Sequence, residues 1–332
     1  MRFGETRDPA PTTMEELAPG GLLAKLSRMD VVARRAVRGA RSGERRSRKR
    51  GGGLEFSEHR DYEPGDDLRF VDWNVFARLD RLVTKVFIEE EDLTVALLLD
   101  ASASMDWGNP NKFLFARRMA LCLGVVALRA GHRLRVHGLG GSCPPDLAGL
   151  RGGSRSLPLS RWLLDARADG GSDLAENVGR VSGGRQGRGV LILLSDCLEE
   201  GTADAVRRAA SSGWETWVLR TLCPEELDPG ANGLAGDLRL EDVEQEGGVE
   251  ITVNRSLLQA YRTRLNADRS RLESDVRRAG GRLVELDTSL DPELVLFELL
   301  RRGGLLRWTS FLQLLACCWR PRFCRLCCCF GS

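Results

Sequence analysis

Residues 94–104, TVALLLDASAS, decide how this chain is read. Thr94–Leu99 is a continuous apolar run of the kind that strands carry when a parallel sheet is covered on both faces. Asp100, Ser102 and Ser104 follow at once, at positions i, i+2 and i+4. A second run, Gly189–Leu194 (GVLILL), ends in a similar way, at Ser195 and Asp196. Between them stands Gly170-Gly171-Ser172-Asp173, a loop that opens a helix.

Working outward, Asn111–Ala130 predicts a helix stopped by Gly131, and Arg133–Leu139 a strand. Ser160–Ala166, Asp173–Val181 and Thr202–Ser212 predict helices, and Trp214–Thr221 a strand. Arg255–Ala279 predicts a long helix, Arg282–Leu286 a strand and Pro292–Arg301 a last helix. Strands alternating with helices of this length predict an α/β fold, a doubly wound and mostly parallel sheet with helices on both faces. Upstream, residues 1–20 read as a loose leader, Gly21 to about Gly39 as a helix, and Leu82–Glu89 as a strand. The expected organisation is the leader, an N-terminal part over 21–91, the α/β domain over 92–304, and a tail over 305–332.

In an open parallel sheet, loops at the carboxyl ends of the strands line the ligand crevice. Asp100, Ser102, Ser104, Ser172 and Asp196 are therefore candidates to meet in one small volume. Two carboxylates and three hydroxyls form a hard, all-oxygen set, suited to Mg²⁺, with Mn²⁺ or Ca²⁺ as alternatives, rather than to Zn²⁺ or copper. Each piece also has a plainer reading. An Asp after a strand often caps the next helix, and paired serines are common in turns.

The 332 residues carry 49 Lys plus Arg against 47 Asp plus Glu, a net charge of +2. That balance gives no general argument for nucleic-acid binding. A hydrophobic fraction of 42% excludes a wholly disordered chain. Lysine occurs only at 25, 49, 85 and 112, so 49 − 4 = 45 basic residues are arginine. None of the four lysines stands in a G-x-x-x-x-G-K-[ST] frame, which excludes a P-loop. G-x-G-x-x-G after a strand, H-E-x-x-H and G-x-S-x-G are also missing. With His59, His132 and His137 as the only histidines, a histidine-rich zinc site is not expected. Cys122, Cys143, Cys197 and Cys223 stand singly, which is no disulfide framework. The first 20 residues lack the apolar stretch of a secretory signal, and no run of about 18 apolar residues occurs. The expected location is a reducing cytoplasm, with contact at the inner face of the membrane as an option.

A resemblance adds to this reading. D-x-S-x-S after an apolar strand, a Gly-Gly-[Thr/Ser]-Asp loop and a second apolar strand ending in Asp resemble the von Willebrand factor A fold and its metal-ion-dependent adhesion site. Glu55-Phe56, Arg60-Asp61-Tyr62, Gly65-Asp66-Asp67-x-Arg69, Asp72-Trp73 and Ala77-Arg78 resemble the signature of the bacterial DUF58 family, whose members carry such a domain behind it. Arg301-Arg302-Gly303-Gly304 resembles the family's end. The resemblance implies Ser102 and Ser104 as direct metal ligands, and Asp100 and Asp196 as ligands directly or through water. Ser172 stands where the pattern commonly has Thr. The resemblance further implies a protein-binding module rather than an enzyme, with an acidic side chain of a partner completing the metal. It also implies a MoxR-type AAA+ ATPase and membrane proteins with von Willebrand A domains as partners.

Other readings stay open at this level. One is a hydrolase using Ser and Asp with His59, which would need a base within hydrogen-bond reach of its nucleophile. Another is nucleic-acid binding by residues 34–50, which hold nine basic residues against Glu44. The signature charges form either a partner surface or an ion-pair lattice around a core of Tyr62, Phe70, Trp73 and Phe76; the lattice is the preferred reading. The tail carries six cysteines and an apolar stretch, Trp308–Trp319, too short to span a bilayer. It reads as an extension or as an arginine-anchored membrane contact.

Overall fold

The computed structural model describes residues 11–33, 54–66, 68–89, 93–171, 173–182, 189–199, 201–234, 236–241 and 248–309. The chain divides into two compact units, residues 36–92 and residues 1–35 with 93–332. In chain order the strands are β1 (Met29–Val31), β2 (Leu54–Asp61), β3 (Val83–Glu89), β4 (Thr94–Asp100), β5 (Arg133–Leu139) and β6 (Leu147–Leu150), then β7 (Gly189–Ser195), β8 (Trp214–Leu222), β9 (Gly236–Glu241), β10 (Gly248–Val253), β11 (Arg282–Asp287) and β12 (Leu306–Trp308).

The larger unit is built on a six-stranded sheet of order β11-β8-β7-β4-β5-β6. All neighbours run parallel except the edge pair β5 and β6. This is the α/β, mostly parallel sheet expected from the sequence. Every residue of β4 is buried, which is why its sequence is apolar without alternation. From β4 the chain first moves to β5 on one side and later returns to β7 on the other. The winding therefore reverses at β4, and the loops after β4 and β7 flank the reversal point where such sheets hold ligands.

On one face lies the helix Lys112–Arg129, buried on nearly every side. Gly124 permits its close approach, since a Cβ there would stand 2.5 Å from a Leu159 methyl. On the other face, the helices Leu174–Ser182 and Thr202–Ser211 and Val276 of the helix Arg255–Arg278 pack against Ala96, Leu98, Leu191, Leu193 and Val218.

A helix that is apolar all round needs cover on both sides, and here the N-terminal residues supply it. The loose leader expected over 1–20 is corrected from residue 11 onward. Thr13 caps a short helix, Met14–Leu17, and Leu17, Ala18, Leu22 and Leu26 are buried. The helix expected from Gly21 to about Gly39 spans only Gly20–Leu26. The chain then turns into β1, which pairs antiparallel with β12, Met29 opposite Trp308. Residues 305–308, assigned to the tail from sequence, thus belong to the larger unit. Residues 34–53 and 310–332, which hold all of the basic segment and most of the tail, lie outside the described residues. Among the described residues no helix is long and apolar enough to cross a membrane.

In the smaller unit, β2 and β3 form an antiparallel pair with an irregularity between Phe56 and Glu58. Asp72 caps the helix Trp73–Leu79, its side chain accepting from the amides of Asn74 and Val75. One Arg60 nitrogen donates to both Asp66 oxygens at 2.8 Å, Arg81 reaches Asp61 at 2.8 Å, and His59 Nε2 lies 3.2 Å from Asp72 Oδ2. Of the charges in the preferred reading, Arg60 and Asp66 form an ion pair, but the aromatic core is not formed. Trp73 is 56% exposed and stands edge-on to the exposed Phe76, while Val71 and Val83 are buried instead. Two strands and a two-turn helix offer too little second layer to enclose four aromatic rings.

Candidate metal centre

Asp100 ends β4, and Asp196 follows β7 directly. The two strands are paired in parallel, with Leu99 opposite Leu194, so both carboxylates stand at the same edge of the sheet. The Asp100 side chain is held from two sides. Its Oδ1 accepts the Ser102 amide at 3.0 Å and its Oδ2 accepts the Ser195 hydroxyl at 2.5 Å. Burial pushes its carboxyl up to about 6; the Ser195 hydrogen bond opposes this and the nearby Asp196 charge reinforces it. A cation at this edge would remove that penalty.

Ser102 and Ser104 place their hydroxyl oxygens 3.0 Å apart. Two neighbouring ligands of an octahedral Mg²⁺, with bonds of about 2.0–2.1 Å, stand about 2.9 Å apart. The pair therefore fits two adjacent positions on one small hard ion. Among the described residues no three His, Cys, Asp or Glu side chains gather as a metal cluster. The set here is instead carboxylate plus hydroxyl, chemistry that suits Mg²⁺ keeping several waters.

The glycine loop is drawn to the same place. Gly170 has φ +70° and its carbonyl accepts the Ala103 amide at 2.7 Å, while the Asp169 amide donates to the Ala101 carbonyl at 3.0 Å. Asp173 accepts the Glu176 amide at 2.8 Å and so caps the helix that follows. Ser172 itself lies outside the described residues. Gly141 closes the other side, because a Cβ there would stand 2.3 Å from the Ala101 carbonyl oxygen.

Sequence reasoning missed three participants: Ser195, Lys112 and Glu226. Lys112 Nζ lies 2.8 Å from Asp196 Oδ2 and 2.7 Å from Glu226 Oε1. Burial would lower the ammonium's pKa, but Asp196 and Glu226 outweigh it and hold it above the ordinary lysine value. Glu226 uses its other oxygen to accept the Cys223 amide at 2.9 Å. Asp196 Oδ1 faces the Leu198 amide at 3.3 Å, and the buried Arg220 donates from Nε to the Asp196 carbonyl at 3.1 Å. One signal was available: a lysine kept at the head of a helix in a chain whose basic residues are nearly all arginine.

Each histidine has an acidic neighbour. His59 meets Asp72 within the smaller unit, His132 Nε2 lies 2.7 Å from Asp30 Oδ1, and His137 Nδ1 lies 2.8 Å from Asp146 Oδ2.

Comparison with known proteins gives three further facts. The family model described as protein of unknown function DUF58 matches residues 58–271, well over half of the chain. Uncharacterized proteins of Mycobacterium bovis (Mb1516) and Mycobacterium tuberculosis (Rv1480) are each 26% identical over 295 residues, covering 86% of this chain and 91% of the relative. Similar solved structures include the conserved hypothetical protein BatB from Bacteroides thetaiotaomicron, 18% identical, covering 59% of this chain and 91% of that one with a TM-score of 0.37. The von Willebrand A domain of SpRpn10 is 11% identical, covering 60% and 91% with a TM-score of 0.34. The fold itself rests on the strand order and registers of this chain. On the length of the family match, with the signature over 55–78 and the sheet behind it, the chain belongs to the DUF58 family.

Proposed function

We propose that this chain is a protein-interaction module that binds its partner through a divalent cation, most simply Mg²⁺, held at the carboxyl edge of the sheet. One observation carries the reading. Asp100, Ser102 and Ser104 are gathered at the reversal point of the winding, their hydroxyls spaced for one small hard ion. Asp196 stands at the end of the adjacent strand. When bound, the cation would offer a coordination position to an acidic side chain of the partner. The chain's own part is to hold the hydroxyls and Asp100 in place. The partners proposed from the family resemblance are a MoxR-type AAA+ ATPase and membrane-associated von Willebrand A proteins, met at the inner face of the membrane. The binding reading is further supported by His132 and His137, which are each engaged by an acid, Asp30 and Asp146.

The test is capture of a MoxR-type ATPase on the immobilised full chain, with chelator or with added salt. A carboxylate bridged to a buried cation should be lost with EDTA and survive moderate salt, whereas exposed ion pairs are screened over about 10 Å at 0.1 M. A complex indifferent to EDTA that dissolves in salt would refute the bridge and shift the contact to the basic segment at 34–50.

A further inference from the structure

The helix Trp73–Leu79 of the smaller unit has little to rest on. Val75 is half-buried, and its other six residues are exposed. A helix this short does not persist in water on its own hydrogen bonds and depends on packing an apolar face. The Asp72 carboxylate secures its start by accepting from the Asn74 and Val75 amides at 3.0 and 3.3 Å. The apolar face is there but uncovered. Trp73, Phe76 and Leu79 recur every three residues along one side, and they are 56%, 36% and 66% exposed. Leu68, Phe70 and Leu82, on either side of the helix in sequence, are exposed as well. Together the six side chains show roughly 600 Å² of apolar surface, as much as a monomeric protein ordinarily leaves in its largest patch.

We propose that a second copy of this chain docks on this face, the helix Trp73–Leu79 lying antiparallel to its own copy about a two-fold axis. The area is right for such a pair. Two copies would cover about 1,200 Å², the lower end of what stable interfaces bury, before any polar rim is added. The shape is self-complementary. An axis near Phe76 sets Trp73 of one copy opposite Leu79 of the other, the isologous contact of a dimer. Beside the helix lies a hollow of ≈ 360 Å³, lined by Asn74, Val75, Arg78 and Leu79. It has room for the indole of the other copy, with the Arg78 guanidinium against the ring face. Tryptophan and arginine are the side chains that most often dominate protein interfaces. The charges also suit a surface that meets itself. Residues 68–82 hold Arg69, Arg78 and Arg81 against Asp72 and Asp80, and Arg81 is already answered by Asp61 at 2.8 Å. An anionic lipid surface or a nucleic acid would call for a plainly positive face. Pairing would give one assembly two candidate cation sites, and so avidity for a partner that repeats its acidic side chain. The dimer itself does not depend on the cation.

The experiment is sedimentation equilibrium of the full chain over about 1–100 μM, a range set by interfaces of this size. Reductant keeps its ten cysteines from linking copies. The native chain should show a monomer–dimer equilibrium. Trp73→Ser and Leu79→Ser should each raise the dissociation constant by about tenfold or more, with circular dichroism unchanged. Should either fail to fold, Arg78→Glu, which sets like charges across the two-fold axis, should do the same. EDTA should leave the dimer intact. A native chain that stays monomeric throughout, or a dimer unmoved by these substitutions in folded variants, would overturn the proposal. Dissociation by EDTA would move the contact to the cation edge and also overturn it. A monomer that instead binds anionic vesicles or single-stranded RNA, and loses that binding in Trp73→Ser, would reassign the face.

Discussion

Lys112 and Asp196, 84 positions apart in sequence, meet at 2.8 Å at the carboxyl edge of the sheet, and both are almost wholly buried. The contact joins the start of the helix after β4 to the loop after β7, the two segments that flank the reversal of winding. A buried pair of this kind costs desolvation and contributes chiefly by fixing geometry. What it fixes here is the distance between the elements that carry the candidate ligands.

Removing the Ser195 hydroxyl should show how far Asp100 depends on its support. Ser195→Ala deletes the donor 2.5 Å from Asp100 Oδ2. The loss should be about 1–3 kcal/mol of unfolding free energy by urea titration. Mg²⁺ affinity should fall less than in Asp100→Asn, because the hydroxyl orients a ligand and is not one. Equal losses of affinity in the two variants would place Ser195 in direct contact with the ion.

The packed N-terminus makes a stability prediction. Leu17 is 1% exposed, in the short helix that packs against the helices Lys112–Arg129 and Ser156–Asp165. Leu17→Ala should destabilise the larger unit by about 2–5 kcal/mol in urea unfolding. A leader that only brushed the surface would give a change within about 0.5 kcal/mol.

A pH prediction concerns Asp30, which ties β1 to β12. Its Oδ1 faces His132 Nε2 at 2.7 Å, and its Oδ2 accepts from two Arg307 nitrogens at 3.0 and 2.7 Å. Burial alone would raise its pKa, but the hydrogen bonds and charges of His132 and Arg307 outweigh it and hold the carboxyl below the usual value. A carboxyl depressed in the folded state stabilises fully above its unfolded pKa, about 3.9, and that contribution is lost as pH falls through the folded value. Asp30→Asn should therefore cost about 1–2 kcal/mol at pH 7, a modest figure because Arg307 is exposed. The gap to the native chain should narrow below about pH 4. A gap that is constant with pH would assign the loss to packing and not to charge.

The sequence made the middle of the sheet legible because β4 and β7 are covered on both faces, and their unbroken apolar runs have few other readings. The same logic hid β6, four residues containing a glycine at the sheet's edge, and the β9–β10 hairpin, whose strand β10 shows only exposed and half-buried residues and so gives no clear alternation. It also mistook the N-terminus, because the apolar spacing of Leu17, Leu22 and Leu26 is too short to announce packing against a helix a hundred residues away. At the site, Asp100 and Asp196 were legible from their places at strand ends. Lys112 and Glu226 were not, since their meeting depends on how the strands are ordered. Glu226 reads locally as a helix cap, which it is; its second oxygen belongs to Lys112.

The most direct measurement is calorimetric titration of Mg²⁺ into the full chain, beside Asp100→Asn and Ser102→Ala. The account predicts one binding event in the native chain. It predicts that event falling by at least about tenfold, or 1.4 kcal/mol, in each variant, with the fold retained by circular dichroism. The same Mg²⁺ affinity in the native chain and in both folded variants, or no binding in the native chain at all, would contradict it.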